Sequence, residues 1–216
     1  MADFRGEPAL GLRERKKQRT RATLIDAAVE LCERQGFERT TVDQIAAIAD
    51  VSPRTFSRYF ATKDAIALAL IDEAIDLAAA ELEQQPPDIS HFEALRRSYV
   101  AMYNNTKTAP PGGLSEERMM CTVRIIMTSP TLRQAALEYR PHAVNVALAK
   151  RIGVDVESRT LRLVSAVWGS IIMTALADLA NGDVDWQRLG IDDIVSRLEA
   201  TFAEFRDLVS DARQPA

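Results

Sequence analysis

Histidine and cysteine are scarce, with two of each in 216 residues. His91 and His142 stand at no metal-ligand spacing with each other or with Cys32 and Cys121, so no metal site is expected. The two cysteines lie far apart in apolar helical patterns and fit buried thiols of a reducing cytoplasm better than a disulfide framework. Glycine and proline are also few, nine of each, and strand-like runs are rare. Ala, Leu, Glu and Arg are plentiful, so the expected fold class is all-α. The sequence has no Gly-rich phosphate loop, nucleophile elbow or Cys-x-x-Cys pair, which leaves an enzyme reading without a motif and a cofactor without a cradle. It has no uninterrupted apolar run of about 18 residues, so neither a membrane span nor a membrane partner is expected. The basic N-terminal segment leads into an amphipathic helix without a cleavage-like site, which excludes a signal peptide and makes the cytoplasm the expected location.

What is present suits a folded chain: 47% apolar and 27% charged residues argue against disorder. The formal net charge is −4, but its distribution matters more than its sum. Residues 1–64 hold 12 Lys+Arg against 10 Asp+Glu, and the remainder holds 15 against 21. Between Arg13 and Arg21, six basic residues face one Glu. A basic head on an acidic body is the asymmetry of a nucleic-acid-binding module attached to something else.

The head centres on Thr41–Lys63, TVDQIAAIADVSPRTFSRYFATK. Thr41 stands three residues before Gln44, a capping-box spacing, and Val42, Ile45, Ala46 and Ala49 form one apolar stripe of a short helix. Asp50, a residue type that tolerates left-handed backbone, ends that helix with Val51. Ser52 then caps a second helix that opens on Pro53, where a missing N–H costs nothing. Phe56 and Phe60 share its inner face, while Arg54, Thr55, Ser57 and Arg58 point elsewhere. A helix held by its neighbour with basic and polar side chains outward has the geometry of a major-groove reader. A basic amphipathic helix, Leu12–Gln35, precedes this pair, with Gly36 as its stop. A longer helix capped by Thr62 follows it, to about Gln85.

GFERTTVDQIAAIADVSPRTFSRYFATKDAI, together with the basic helix before it, resembles the N-terminal domain of tetracycline-repressor-type (TetR family) transcriptional regulators. Gly36-Phe37, Thr41-Val42, Ile45-Ala46, Val51-Ser52, Thr55-Phe56, Tyr59-Phe60 and Lys63 carry the resemblance, which covers about a quarter of the chain. Asp50 stands where the family usually has Gly, and Ala61 where it often has Pro. The resemblance implies a loose arm over 1–11, a helix-turn-helix domain over 12–62 and a helical regulatory and dimerisation domain over 63–216. Helix geometry and resemblance together put Pro53, Arg54, Thr55, Ser57 and Arg58 against bases, with Arg54 the best placed to grip a guanine. They put Thr41, Tyr59, Lys63, Arg13, Lys16 and Lys17 against phosphates.

The body has no comparable signature. Helical patterns run over Ser90–Thr106, Ser115–Ser129, Pro130 to near Ile152 with a break at Pro141, Glu157–Ala180 and Ile191–Val209, the last two separated by the turn Asn181-Gly182-Asp183. The resemblance implies a cavity for a small apolar or amphipathic ligand, with Met102, Tyr103, Met119, Met120, Met127, Tyr139, His142, Trp168, Ile172 and Met173 as candidate lining. It also implies a homodimer through the last two helices. Leu161, Val164, Trp168, Ile171, Ile194, Leu198, Phe202 and Phe205 are the expected interface, and the same residues suit a core. The function read from this is a repressor that binds a palindromic double-stranded operator as a dimer and is released by its ligand. An activator of the same fold is an alternative. Another is a helical interaction protein whose head is only a packing domain, against which the basic segment, Arg54, Arg58 and Lys63 argue.

Overall fold

The computed structural model describes residues 11–110, 113–138, 142–180 and 184–211. The arm over 1–10, Tyr139, Pro141 and the Asn181-Gly182-Asp183 turn lie outside the described residues. Among those described, the regular elements are all helices. They are α1 (Leu12–Gln35), α2 (Val42–Ile48), α3 (Pro53–Tyr59), α4 (Asp64–Glu83), α5 (His91–Asn105), α6 (Glu116–Thr128), α7 (Pro130–Glu138), α8 (His142–Ile152), α9 (Arg159–Leu176) and α10 (Ile191–Asp211). Short 3₁₀ turns follow α5 and α9, at Thr106–Thr108 and Ala177–Ala180. The chain divides into two compact units, one up to Ile66 and one from Ala67 onward, and the division falls inside α4.

In the first unit the helix boundaries follow from caps. Gly36 ends α1 at φ 82° and ψ 152°, a region essentially closed to side-chain-bearing residues, and its N–H donates to the Cys32 carbonyl at 2.9 Å. Thr41 and Gln44 form a complete capping box: the Gln44 N–H donates to Thr41 Oγ1 at 3.2 Å, and the Thr41 N–H to Gln44 Oε1 at 3.0 Å. Asp50 sits at φ 52°, in the left-handed region. Around it the Val51 N–H reaches the Ala46 carbonyl at 3.0 Å and the Asp50 N–H reaches that of Ala47 at 3.2 Å. This is the Schellman closure that usually employs Gly, and here Asp accepts the same backbone. Ser52 Oγ then accepts the Thr55 N–H at 3.1 Å, with Pro53 as the first residue of α3. Phe56 and Phe60 are 1% and 4% exposed, so the inner face of α3 is fully used.

Lys63, just ahead of α4, closes this unit. Its ammonium donates to the carbonyls of Phe37, Glu38 and Thr40 at 2.9, 3.2 and 3.3 Å and lies 4.7 Å from the Phe37 ring centroid. Three donors meet three acceptors in the turn between α1 and α2, which satisfies carbonyls that helix geometry leaves open.

In the second unit one core joins α4, α5, α6, α8, α9 and α10. Trp168 sits at its centre, edge-on to Tyr99 at 5.3 Å and to Phe202 at 6.2 Å between ring centroids. This corrects the sequence expectation for the last two helices. Leu161, Trp168, Ile171, Ile194, Leu198 and Phe202 are each at most 5% exposed inside the protomer's own core, and Val164 and Phe205 are half-buried against it. The richest apolar stripe of a helix goes to the nearest hydrophobic neighbour, and here α9 and α10 supply it to each other and to α5. By composition and length Arg159–Ala180 would suffice to cross a membrane, at mean hydropathy 1.7, and only 28% of it is buried. Its exposed residues combine Leu163, at 65% exposure, and Ala166 with the polar Arg159, Thr160, Arg162, Ser170 and Thr174.

A carboxylate–guanidinium cluster joins α5 to α10. Arg96 donates to both oxygens of Glu93, at 2.7 and 2.9 Å, and also pairs with Glu199; Arg97 Nε donates to Glu93 Oε1 at 2.7 Å. The hydrogen bonds from Arg96, aided by Arg97, lower the Glu93 carboxyl from 4.5 to about 2.

Two outcomes follow from these ties. Lys63→Ala should lower stability to urea by about 2–3 kcal/mol, since hydrogen bonds to a charged group are lost and carbonyls are left open; an unchanged midpoint would mean the ammonium does not hold the turn. Because the folded pKa of Glu93 is depressed, its contribution to stability is present above about pH 4.5 and lost as pH falls toward about 2. Thermal scans over that window should show a steeper loss for the native chain than for Glu93→Gln, which should already be less stable at pH 7.

Candidate functional site

α3 presents one polar face. Pro53, Arg54, Ser57 and Arg58 are exposed on it, opposite the buried Phe56. Ser57 Oγ donates to the Pro53 carbonyl at 3.1 Å, and the Arg58 guanidinium lies 5.4 Å from the Tyr59 ring centroid. Thr55 differs from the other four expected base contacts: it is half-buried, and its Oγ1 lies 3.0 Å from the Ser52 hydroxyl that caps the helix. Arg54 carries the one guanidinium of the face that has no aromatic neighbour among the described residues.

The expected phosphate contacts separate in a similar way. Arg13, Lys16 and Lys17 are exposed on successive turns of α1. Lys17 lies 3.7 Å from Glu14, a pair with both partners exposed that carries little energy. Thr41 is exposed, and its hydroxyl serves the capping box; Tyr59 is half-buried. Lys63 is a correction: its three donors are spent on backbone carbonyls, so none is left pointing outward.

A second concavity, of about 680 Å³, lies wholly in the second unit. Six residues named from the sequence line it: Met102, Tyr103, Met119, Trp168, Ile172 and Met173. Three others do not. Met127 is 1% exposed in the core, Met120 packs against that core outside the lining, and His142 is exposed in the first turn of α8. α4 contributes Ile71, Ala74 and Ile75. Burial pushes the Tyr103 phenol up to about 12, so it remains a neutral hydrogen-bond donor.

Sequence reasoning missed the polar lining: Thr122, Asn145, Arg162, Ser165 and Ser170. On α9, Arg162, Ser165, Gly169, Ile172, Met173 and Leu176 recur at helical spacing beside the core stripe, and this second stripe was the available signal. Among the described residues nothing lies within 4 Å of where a Cβ on Gly169 would stand, and Gly169 lines the cavity.

The profile of bacterial regulatory proteins of the tetR family matches residues 24–70, from the back of α1 into α4. The TcmR transcriptional regulator of Streptomyces glaucescens is 35% identical over 153 residues, a match that spans 68% of this chain and 66% of that protein. The RutR regulator of Escherichia coli K12 is 28% identical over 86 residues, 40% of this chain and 41% of RutR. Among solved structures, the Thermus thermophilus repressor FadR, in complex with lauroyl-CoA, superposes at a TM-score of 0.49 and 20% identity, over 85% of this chain and 91% of that one. A TetR-family regulator from Pectobacterium atrosepticum does so at 0.49 and 19%, over 93% and 98%. The helix-turn-helix profile and the kinship with TcmR reach the same conclusion from different lengths of sequence, and the chain belongs to the TetR family of bacterial transcriptional regulators.

Proposed function

We propose that this chain is a cytoplasmic, homodimeric repressor that holds a palindromic operator through α3 and lets go when a small amphipathic molecule fills the cavity of the second unit. The observation that carries the reading is the exposed row Pro53, Arg54, Ser57 and Arg58 on a helix whose opposite face is buried. Such a helix suits the major groove, and Arg54 is the residue for a bidentate grip on guanine, worth about 1–3 kcal/mol of discrimination. Arg13, Lys16 and Lys17, with Thr41 and Tyr59, serve as phosphate contacts, which position the head without reading sequence. One head spans few base pairs, and two heads related by a two-fold axis read a palindrome.

For self-association the outward face of α9 and α10 replaces the stripe first expected. Leu163 and Leu208 are 65% and 69% exposed there, and apolar surface of this kind favours a partner over water. For release, the ligand must bind the arrangement that cannot hold DNA more tightly than the one that can; otherwise it shifts nothing. α4 supports a coupling role, since its first turn belongs to the head while Ile71, Ala74 and Ile75 wall the cavity.

In titrations against a palindrome upstream of its own gene and against random duplex, Arg54→Ala should cut the preference for the palindrome by roughly 10–100-fold and leave random-duplex affinity nearly unchanged. Equal loss on both duplexes would remove base reading from Arg54. In sedimentation, a Leu163→Glu, Leu208→Glu double variant should move the native dimer toward folded monomer; a dimer unaffected by both changes would place the interface elsewhere.

A further inference from the structure

Among the described lining residues the polar groups are mixed: Arg162, Asn145 and Tyr103 offer donors, whereas the hydroxyls of Thr122, Ser165 and Ser170 spend their protons on protein acceptors and offer lone pairs. Of the described lining residues only Arg162 is ionised at neutral pH. Its Nη1 donates to the Glu157 carbonyl at 3.1 Å, and among the described residues no carboxylate pairs with it. One turn further along α9, Ser165 Oγ donates to Asn145 Oδ1 at 2.6 Å, which occupies the amide's acceptor and leaves its NH₂ donors for whatever enters. Next comes Trp168, 3% exposed, whose ring walls the cavity. The Tyr103 phenol stays protonated and adds a further donor. Thr122 uses its own hydroxyl proton on the Arg118 carbonyl at 2.7 Å.

These groups are ordered along the cavity. Arg162, Ser165 and Asn145 stand together at the N-terminal end of α9, where Arg162 is exposed. Toward the C-terminal end the lining becomes Ile172, Met173 and Leu176, with Met119 of α6. From Arg162 to Leu176 the helix rises about 21 Å, enough for an extended or multi-ring molecule. Among the described residues no acidic side chain lines the cavity, so an ammonium ligand finds no counter-charge there, whereas an anion finds one cation and the neutral donors of Asn145 and Tyr103.

Building on the reading of this cavity as the effector site, we infer that its ligand is an organic anion. Its acidic group lies against Arg162 and the Asn145 amide, and its apolar body extends along α9 toward Met119 and Met173. A charge-assisted hydrogen bond is roughly twice as strong as a neutral one, so the acid sets the orientation of the ligand. The apolar length supplies most of the affinity.

Two fluorescent probes with the same body separate the contributions: anilinonaphthalene sulfonate, which carries an anion, and N-phenylnaphthylamine, which does not. Titrated into the full chain, Arg162→Gln should weaken the sulfonate by about tenfold or more while the amine stays within about twofold. Only the native chain should lose sulfonate affinity as salt rises. Gly169→Phe, whose side chain enters open space, should abolish binding of both probes with the helical circular dichroism retained. If Gly169→Phe blocks both probes but Arg162→Gln affects them equally or not at all, the anionic assignment fails and the cavity stands. If either probe binds Gly169→Phe as tightly as the native chain, the cavity is not the binding site, and this inference falls with the reading it rests on.

Discussion

The head depends on where one ammonium group sits. α1 ends at a glycine in a conformation that side-chain-bearing residues avoid, α2 begins six residues later at Val42, and the carbonyls between them lie outside both helices. Lys63 reaches back from the residue before α4 and gathers three of them. That contact closes a loop of more than twenty residues, which contains α2, the Asp50 turn and α3. The backbone angle at Asp50 sets the direction of α3, and the Lys63 tie keeps the frame in which that angle has meaning. The common direction of the four exposed side chains of α3 depends on both constraints.

In the second unit a single helix serves three environments. One side of α9 fills the core with Leu161, Trp168 and Ile171; the adjoining side walls the cavity with Arg162, Ser165, Gly169 and Met173; and Leu163 faces outward. A helix apolar on so many sides is usually buried outright, yet α9 keeps a large part of its surface free of the protomer. Trp168 belongs to two of these environments at once. It anchors the aromatic stack with Tyr99 and Phe202 and also lines the cavity.

The helices and their ends were largely legible in the sequence, because caps are local chemistry. α1 spans the expected Leu12–Gln35, Ser90, Ser115 and Ser158 each cap the following helix, and the Thr41–Gln44 box is complete. The outward face of α3 was legible for the same reason: over two turns, Phe56 and Phe60 leave one direction for Arg54, Ser57 and Arg58. The lining of the cavity was only half legible. Met119 and Met173 were named for softness and shape, whereas Arg162 and Asn145 carried no mark of their own until the fold brought α8 against α9.

Composition, capping residues and a short register of aromatic and basic positions were thus enough to determine an all-α chain with a helix-turn-helix head, since each of those features acts within a few residues. Tertiary structure decided the matters that depend on which neighbour a side chain meets. It gave Lys63 to backbone carbonyls rather than to the solvent face, and it gave the richest stripe of α9 and α10 to the protomer's own core rather than to a surface. An apolar or charged residue has the same sequence pattern whether its partner is a core, a second copy or a ligand. The choice is made by the energy of burial and pairing across elements distant in the chain.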